Sequence, residues 1–274
     1  MGNRIEGEKR MTQDVERAAI VTGSATGIGA AIAQALSGLG WGVVLNYTRS
    51  EDEVRETERL CRDAGGDPVV VQGDVSDDKV CRALAAAAEE RWGRLDGLVS
   101  NAGVTKFVAP GDMEGLNRED FERIFGVNLI GCWQMARAAA PLMKASGGGS
   151  IVTMSSLSAF TGAGSSPAYA ASKAALNTLT LSLARGLAPD IRVNAVCPGY
   201  VTTRWGRRGI GDTAYEKFCV ALTEQLPLQQ MVGPDDVAET VLWFLTGGRT
   251  ITGQTLVIDA GEHMAGGISI SSDD

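Results

Sequence analysis

From Ala18 to Thr48 the chain runs for 31 residues without a charged side chain. A membrane-spanning helix wants about 20 mostly apolar residues. Here six glycines, with Thr22, Ser24, Thr26, Gln34 and Ser37, break the run, so the stretch reads as strand, glycine loop, helix, strand. Residues 18–22 are a short apolar run, Ile28, Ile32, Leu36 and Leu39 follow helical spacing, and Gly42–Tyr47 forms the second strand. The alternation continues to the end of the chain. Helical patterns cover 52–64, 77–91, 118–144, Pro167–Leu187 and 235–245, and apolar strands cover 69–72, Gly97–Ser100, 151–155, 191–197 and Thr255–Ile258. Repeated β–α units with strands apolar throughout predict an α/β fold: one doubly wound parallel sheet of about seven strands, with helices on both faces. The predicted organisation is a flexible charged extension over 1–17, a single domain over 18–264 and a tail over 265–274. An irregular stretch lies at 202–231.

Composition narrows the function. A net charge of −8 argues against a nucleic-acid partner, which a basic face would meet. The five cysteines are scattered and never spaced C-x-x-C, which excludes a disulfide framework or zinc cluster. His263 is the sole histidine, so a multi-histidine metal site is excluded, and acid–base chemistry falls to Tyr, Lys, Asp, Glu or Ser. The first 17 residues carry eight charges and no apolar run, unlike a secretory signal. The expectation is a cytoplasmic protein with no membrane and no metal.

Thr22-Gly23-Ser24-Ala25-Thr26-Gly27-Ile28-Gly29 joins the first strand to the first helix with the spacing G-x-x-x-G-x-G. Glycines there let the backbone turn tightly and approach a pyrophosphate at a helix N-terminus. Tyr169 and Lys173, four apart in a helical stretch, share a face. A phenol titrates near 10 in water; a nearby ammonium would favour the phenolate and let it exchange a proton with a substrate oxygen. Ser156, thirteen residues before Tyr169, follows the 151–155 strand, where a hydroxyl could stabilise developing charge on that oxygen. Ser155 is the neighbouring candidate.

This loop, Asp74-Val75, Asn101-Ala102-Gly103, Asn128, Ser156, Tyr169-Ala170-Ala171-Ser172-Lys173 and Pro198-Gly199 together resemble the short-chain dehydrogenase/reductase family, in order and over nearly the whole chain. The resemblance implies a single Rossmann-like domain with a sheet order of 3-2-1-4-5-6-7, and selects Ser156 over Ser155. It also implies that Tyr169 is the acid/base, that Lys173 tunes it and holds the nicotinamide ribose, and that Asn128 anchors a water leading from the lysine. Gly23, Ser24, Thr26, Gly27, Ile28 and Gly29 would cradle the cofactor phosphates. Asp74 and Val75 would contact adenine, Asn101 would brace the sheet, Ala102 and Gly103 would admit the ribose, and Pro198, Gly199, Val201 and Thr203 would line the nicotinamide. Ser100 replaces the second asparagine usual before Asn101.

The implied activity is hydride transfer between a nicotinamide cofactor and a carbonyl or secondary alcohol. The nearest branch is the 3-oxoacyl-(acyl-carrier-protein) reductases and their carbonyl-reductase relatives. A sugar or polyol dehydrogenase is the alternative, and a non-catalytic dinucleotide sensor a remote one. The segment 202–231 would be a substrate lid, whose Arg204, Arg207 and Arg208 could draw in an anionic substrate. Against a carrier-protein partner stands the acidic turn at Asp190, although Arg137, Lys144 and Arg185 could supply positive charge. The family also implies a homotetramer, a dimer of dimers, paired through 118–144 and Pro167–Leu187. At the end of the second strand, where an acid about 20 residues past the glycine loop would bind the ribose of NAD, stands Tyr47. Arg49, with Ser24, Thr48 or Ser50, could hold a 2′-phosphate, so NADP(H) is expected over NAD(H). Arg49 could instead point to solvent or pair with Glu53.

Overall fold

The computed structural model describes residues 15–109 and 111–264. Residues 1–14 of the expected extension over 1–17, and the tail over 265–274, lie outside them. In chain order the elements are β1 (Ala18–Val21), α1 (Gly27–Gly38), β2 (Gly42–Tyr47), α2 (Glu51–Asp63), β3 (Asp67–Gln72), α3 (Asp78–Trp92) and β4 (Gly97–Ser100). There follow α4 (Arg118–Phe125), a π-helical turn (Gly126–Gly131), α5 (Cys132–Ala145), β5 (Gly149–Met154), α6 (Ser158–Thr161), α7 (Pro167–Leu187) and β6 (Ile191–Pro198). The chain continues through α8 (Arg204–Ile210), α9 (Asp212–Gln225), α10 (Pro234–Thr246) and β7 (Thr255–Ile258). All seven strands are parallel, in the order β3-β2-β1-β4-β5-β6-β7.

Strand alternation builds two cores. Ala19, Val21, Val43 and Leu45 face α1 and α10 on one side, while Ile20 and Val44 face α3 and α5 on the other. Each strand is therefore apolar on both faces, as a buried parallel sheet requires. The order reverses between β1 and β4, and ligands bind at that point, beyond the carboxyl ends of the strands.

Several boundaries differ from the sequence reading, and three of them have a clear physical reason. β3 begins at Asp67, not Val69, because Asp67 is held by Arg91 at 2.8 and 2.9 Å and by the Trp92 indole at 2.8 Å. Pro68 is tolerated since β3 is an edge strand. The single helix expected over 118–144 is two helices joined by the π turn. The stretch 202–231, expected to be irregular, contains α8 and α9. Tyr215, Phe218, Cys219 and Leu222 repeat at i, i+3, i+4 and i+7, so the helical signal of α9 was present in the sequence. Among the described residues no helix is long and apolar enough to cross a membrane.

Candidate active site

At the first βα junction the backbone is shaped by glycines. Gly23 has φ +63°, and a Cβ on it would meet Ala102 Cα at 2.9 Å. A Cβ on Gly29 would collide with the Gly23 carbonyl and approach Asn101 Nδ2 to 2.6 Å. Asn101 fastens this loop to β4: its Nδ2 donates to the carbonyls of Thr22 (2.9 Å) and Gly23 (3.0 Å), and its backbone N–H donates to Thr22 Oγ1. The backbone N–H of Ala102 donates to the same hydroxyl at 3.0 Å. Thr26 begins α1 in extended conformation with no side-chain cap, and no acidic residue stands in the first turn that holds Ile28 and Gly29. A helix start with open N–H groups and no opposing carboxylate suits an anionic group such as a pyrophosphate. The residues present therefore fit a dinucleotide.

Two expectations change here. Ser24 is fully buried, and its hydroxyl accepts from Asn46 N at 2.9 Å and donates to Asn46 O at 3.4 Å. It fastens the loop to β2 and is not available to a phosphate. Asn46, which the sequence reading passed over, accepts from Gly23 N at 3.2 Å and donates to the carbonyls of Val71 and Gly73. A polar side chain inside an otherwise apolar strand was the signal for it. The Tyr47 ring lies in the core, and Thr48, Arg49 and Ser50 follow the strand. Arg49 is exposed. Glu53, its alternative partner, receives Arg204, whose second nitrogen donates to Ser50 Oγ at 3.1 Å. Asp74, partly exposed after β3, accepts from Ser76 and pairs with Arg123 at 2.8 Å. Burial would raise its carboxyl, but these bonds hold it below the usual range. Val75 is buried against Gly131 of the π turn.

The reaction end lies where β4, β5 and β6 finish. Ser166 caps α7 and accepts from Tyr169 N at 3.3 Å, setting the tyrosine in the first turn. Lys173, one turn on, is buried; its Nζ donates to Met154 O at 2.6 Å and lies 5.5 Å from the Tyr169 ring centroid. Ser155 and Ser156 separate in role. Ser155 Oγ donates to the Lys173 carbonyl at 3.2 Å, whereas Ser156 Oγ donates to Ser158 Oγ and accepts from Ser158 N, both at 3.1 Å, on the side of the Tyr169 phenol. The π turn presents Asn128, whose Oδ1 accepts from Val104 N at 2.8 Å and whose Nδ2 donates to Val104 O and Ser172 Oγ. Such turns recur at functional sites. A Cβ on Gly103 would stand 3.6 Å from Asn128 Oδ1 and 3.7 Å from Lys173 Nζ, so glycine keeps this space open.

The electrostatics depart from the expectation that lysine lowers the phenol. Burial pushes the Tyr169 phenol above its ordinary value, and the Ser156 hydroxyl opposes this only in part. Burial also pulls Lys173 down to about 8. The lysine's own desolvation limits what it offers the tyrosine. Burial likewise pushes the Tyr200 phenol up to about 12.

Beyond β6, Pro198 O accepts from Leu157 N at 2.8 Å, a Cβ on Gly199 would strike Asp259 Cβ at 2.6 Å, and Val201 pairs with Val232. Thr203 starts α8 beside Gly27, and Trp205 packs edge-on to Tyr169 with ring centroids 6.0 Å apart. The arginines expected to face a substrate are otherwise engaged. Arg204 reaches α2, and Arg207 pairs with Asp212 and Glu216 over the Tyr215 ring. The Arg208 side chain lies outside the described residues.

Comparison with known proteins agrees with this architecture. The family model described as Enoyl-(Acyl carrier protein) reductase matches residues 23–263. A protein assigned as ketoacyl reductase 2 of the granaticin polyketide synthase of Streptomyces violaceoruber is 39% identical, over 90% of this chain and 96% of its own. The chain belongs to the short-chain dehydrogenase/reductase family. Another member, the 3-oxoacyl-[acyl-carrier-protein] reductase FabG of Staphylococcus aureus, is 30% identical over 90% of this chain and 98% of its own. A crystal structure assigned as a short-chain dehydrogenase/reductase of Burkholderia xenovorans has 38% identity and a TM-score of 0.85, covering 92% of this chain and all of that one. As a member of the family, the protein is an oxidoreductase acting on a CH–OH group.

Proposed function

We propose that the protein reduces a ketone or 3-oxoacyl thioester with NADPH. The observation that carries the chemistry is the convergence of Ser156, Tyr169 and Lys173 beside the open space at Gly103. Bound reduced nicotinamide supplies the hydride to the carbonyl carbon. Tyr169 gives its phenolic proton to the carbonyl oxygen, and the Ser156 hydroxyl donates a hydrogen bond to the same oxygen as charge develops on it. The Lys173 ammonium, backed by Met154 O, holds the ribose and favours return of a proton to Tyr169, and Asn128 anchors a water beyond the lysine. Thr26, Gly27 and Gly29 cradle the phosphates, and residues 202–231 form a lid over the substrate. The aromatic Trp205 on Tyr169 favours an apolar substrate over a sugar.

Cofactor choice follows from β2. Its end carries no carboxylate before Glu51, and Arg49 and Ser50 follow it as candidate donors to a 2′-phosphate. A hydrogen bond to a charged group contributes roughly 1.5–3 kcal/mol, so NADPH is preferred by about ten- to a hundred-fold. The reading also places the protein in the cytoplasm, a reducing compartment that suits its free thiols. The test is kcat/KM on a panel of ketones, acetoacetyl thioesters and aldoses, with each cofactor, for wild type and Arg49→Ala. Ketone or thioester turnover with NADPH preference, narrowed in the variant, is expected. Turnover of aldoses alone would instead establish a sugar dehydrogenase, and equal use of NADH would overturn the reading of β2.

A further inference from the structure

Three consecutive residues at the start of α8 span the cofactor cleft from end to end. Thr203 Cγ2 lies 3.5 Å from where a Cβ of Gly27 would stand, over the phosphate loop. Trp205 packs on Tyr169 at the reaction end. Between them Arg204 points the opposite way, across 154 residues of sequence, to Ser50 Oγ and the Glu53 carboxylate. Ser50 directly follows Arg49 and precedes α2, so Arg204 arrives beside the end of β2, where the adenosine ribose is recognised.

We propose that Arg204 is a second ligand for the 2′-phosphate of NADP(H), delivered from the substrate-side segment. This rests on the NADP(H) preference argued above. The guanidinium presents donors in a planar fork suited to phosphate, and one of its nitrogens already donates to Ser50. A dianionic phosphate beside Ser50 attracts Arg204 more strongly than the single carboxylate of Glu53 does. Arg204 thus changes partner while its neighbours stay over Gly27 and Tyr169. NADH, with only a hydroxyl there, leaves Arg204 with Glu53. Arg204 is in this way a specificity-determining residue whose contact comes from outside the Rossmann half that binds the adenosine.

Calorimetric titration with adenosine 2′,5′-bisphosphate and adenosine 5′-monophosphate isolates this contact without turnover. Wild type should bind the bisphosphate more tightly. Arg204→Ala should weaken the bisphosphate about tenfold or more and the monophosphate less than about twofold, with the same split between NADPH and NADH. Arg204→Gln, which keeps the length of the side chain, carries the same test where alanine does not fold. Glu53→Gln removes the competing charge and should tighten the bisphosphate selectively. If wild type prefers the bisphosphate and Arg49→Ala removes that preference while both Arg204 variants keep it, Arg204 is a latch alone and the inference falls. If wild type binds both probes equally, the NADP(H) reading falls first, and this inference with it.

Discussion

Burial alters the acid–base chemistry of both Tyr169 and Lys173. The phenol sits above its ordinary value and the ammonium at about 8. In the reductive direction the phenol must be protonated, and burial favours that form. The alkaline limit on the free enzyme's kcat/KM therefore belongs to Lys173, with activity falling as pH rises through about 8. A pH profile checks this: Lys173→Arg, which keeps its charge at every accessible pH, should retain some activity and lose that limb. A limb unchanged in the variant would assign it elsewhere. Tyr169→Phe should cut kcat by at least a hundredfold, the usual contribution of a positioned general acid, while the calorimetric Kd for NADPH stays within about twofold. More than a few per cent of wild-type kcat remaining would remove Tyr169 from its role. The Tyr-Lys spacing and the serine thirteen residues upstream were legible in the sequence. Which serine faces the phenol was chosen there by resemblance alone, because both hydroxyls follow one strand and only the fold shows Ser155 turned to the Lys173 carbonyl.

At the level of elements, α7 is the part on which the site is mounted. Its cap, Ser166, is buried and accepts from the backbone of Tyr169 itself. Ser166→Ala should cost ~1 kcal/mol and lower Tm by a few degrees, with a drop in kcat because the first turn loosens under the tyrosine. Glycine costs only a few tenths of a kcal/mol at such a cap, so Ser166→Gly should recover most of the Tm. Thermal melts of the three proteins, each with its kcat, separate the outcomes; equal losses for alanine and glycine would show that the serine does not act as a cap. The α4–α5 stretch teaches a different lesson. Its apolar spacing is helical from end to end, and nothing local marks the π turn at Gly126–Gly131. The turn holds because Asn128 is bonded on both sides of its amide to Val104 and Ser172, partners supplied by distant segments.

For the whole molecule, the charge and apolar distribution point to assembly. Phe121, Ile130, Trp133 and Leu181 are exposed on α4, the π turn, α5 and α7. Trp243 and Leu256 are exposed on α10 and β7, and β7 is a bare sheet edge. Exposed apolar side chains on these elements are what isologous interfaces would cover, and the assembly predicted is a homotetramer, a dimer of dimers. Light scattering at micromolar concentration should give four times the chain mass, and Trp133→Asp should reduce it to twice. A monomer in wild type would contradict the assembly. A carrier protein is not favoured by the charges near α7, since Arg137 pairs with Asp78 and Lys144 with Asp190.

The sequence by itself determined the parallel sheet, the glycine loop and the Tyr-Lys pair. Each is written in short-range periodicity: apolar runs of strand length, glycines at positions of positive φ, and a four-residue step on one helix. Tertiary structure alone decided what depends on neighbours far along the chain. It took Ser24 out of the cofactor site by bonding it to Asn46, turned Tyr47 into the core, and sent Arg204 to α2 instead of toward the substrate. A hydroxyl or guanidinium has many partners within reach of its rotamers, and only the packed chain selects among them.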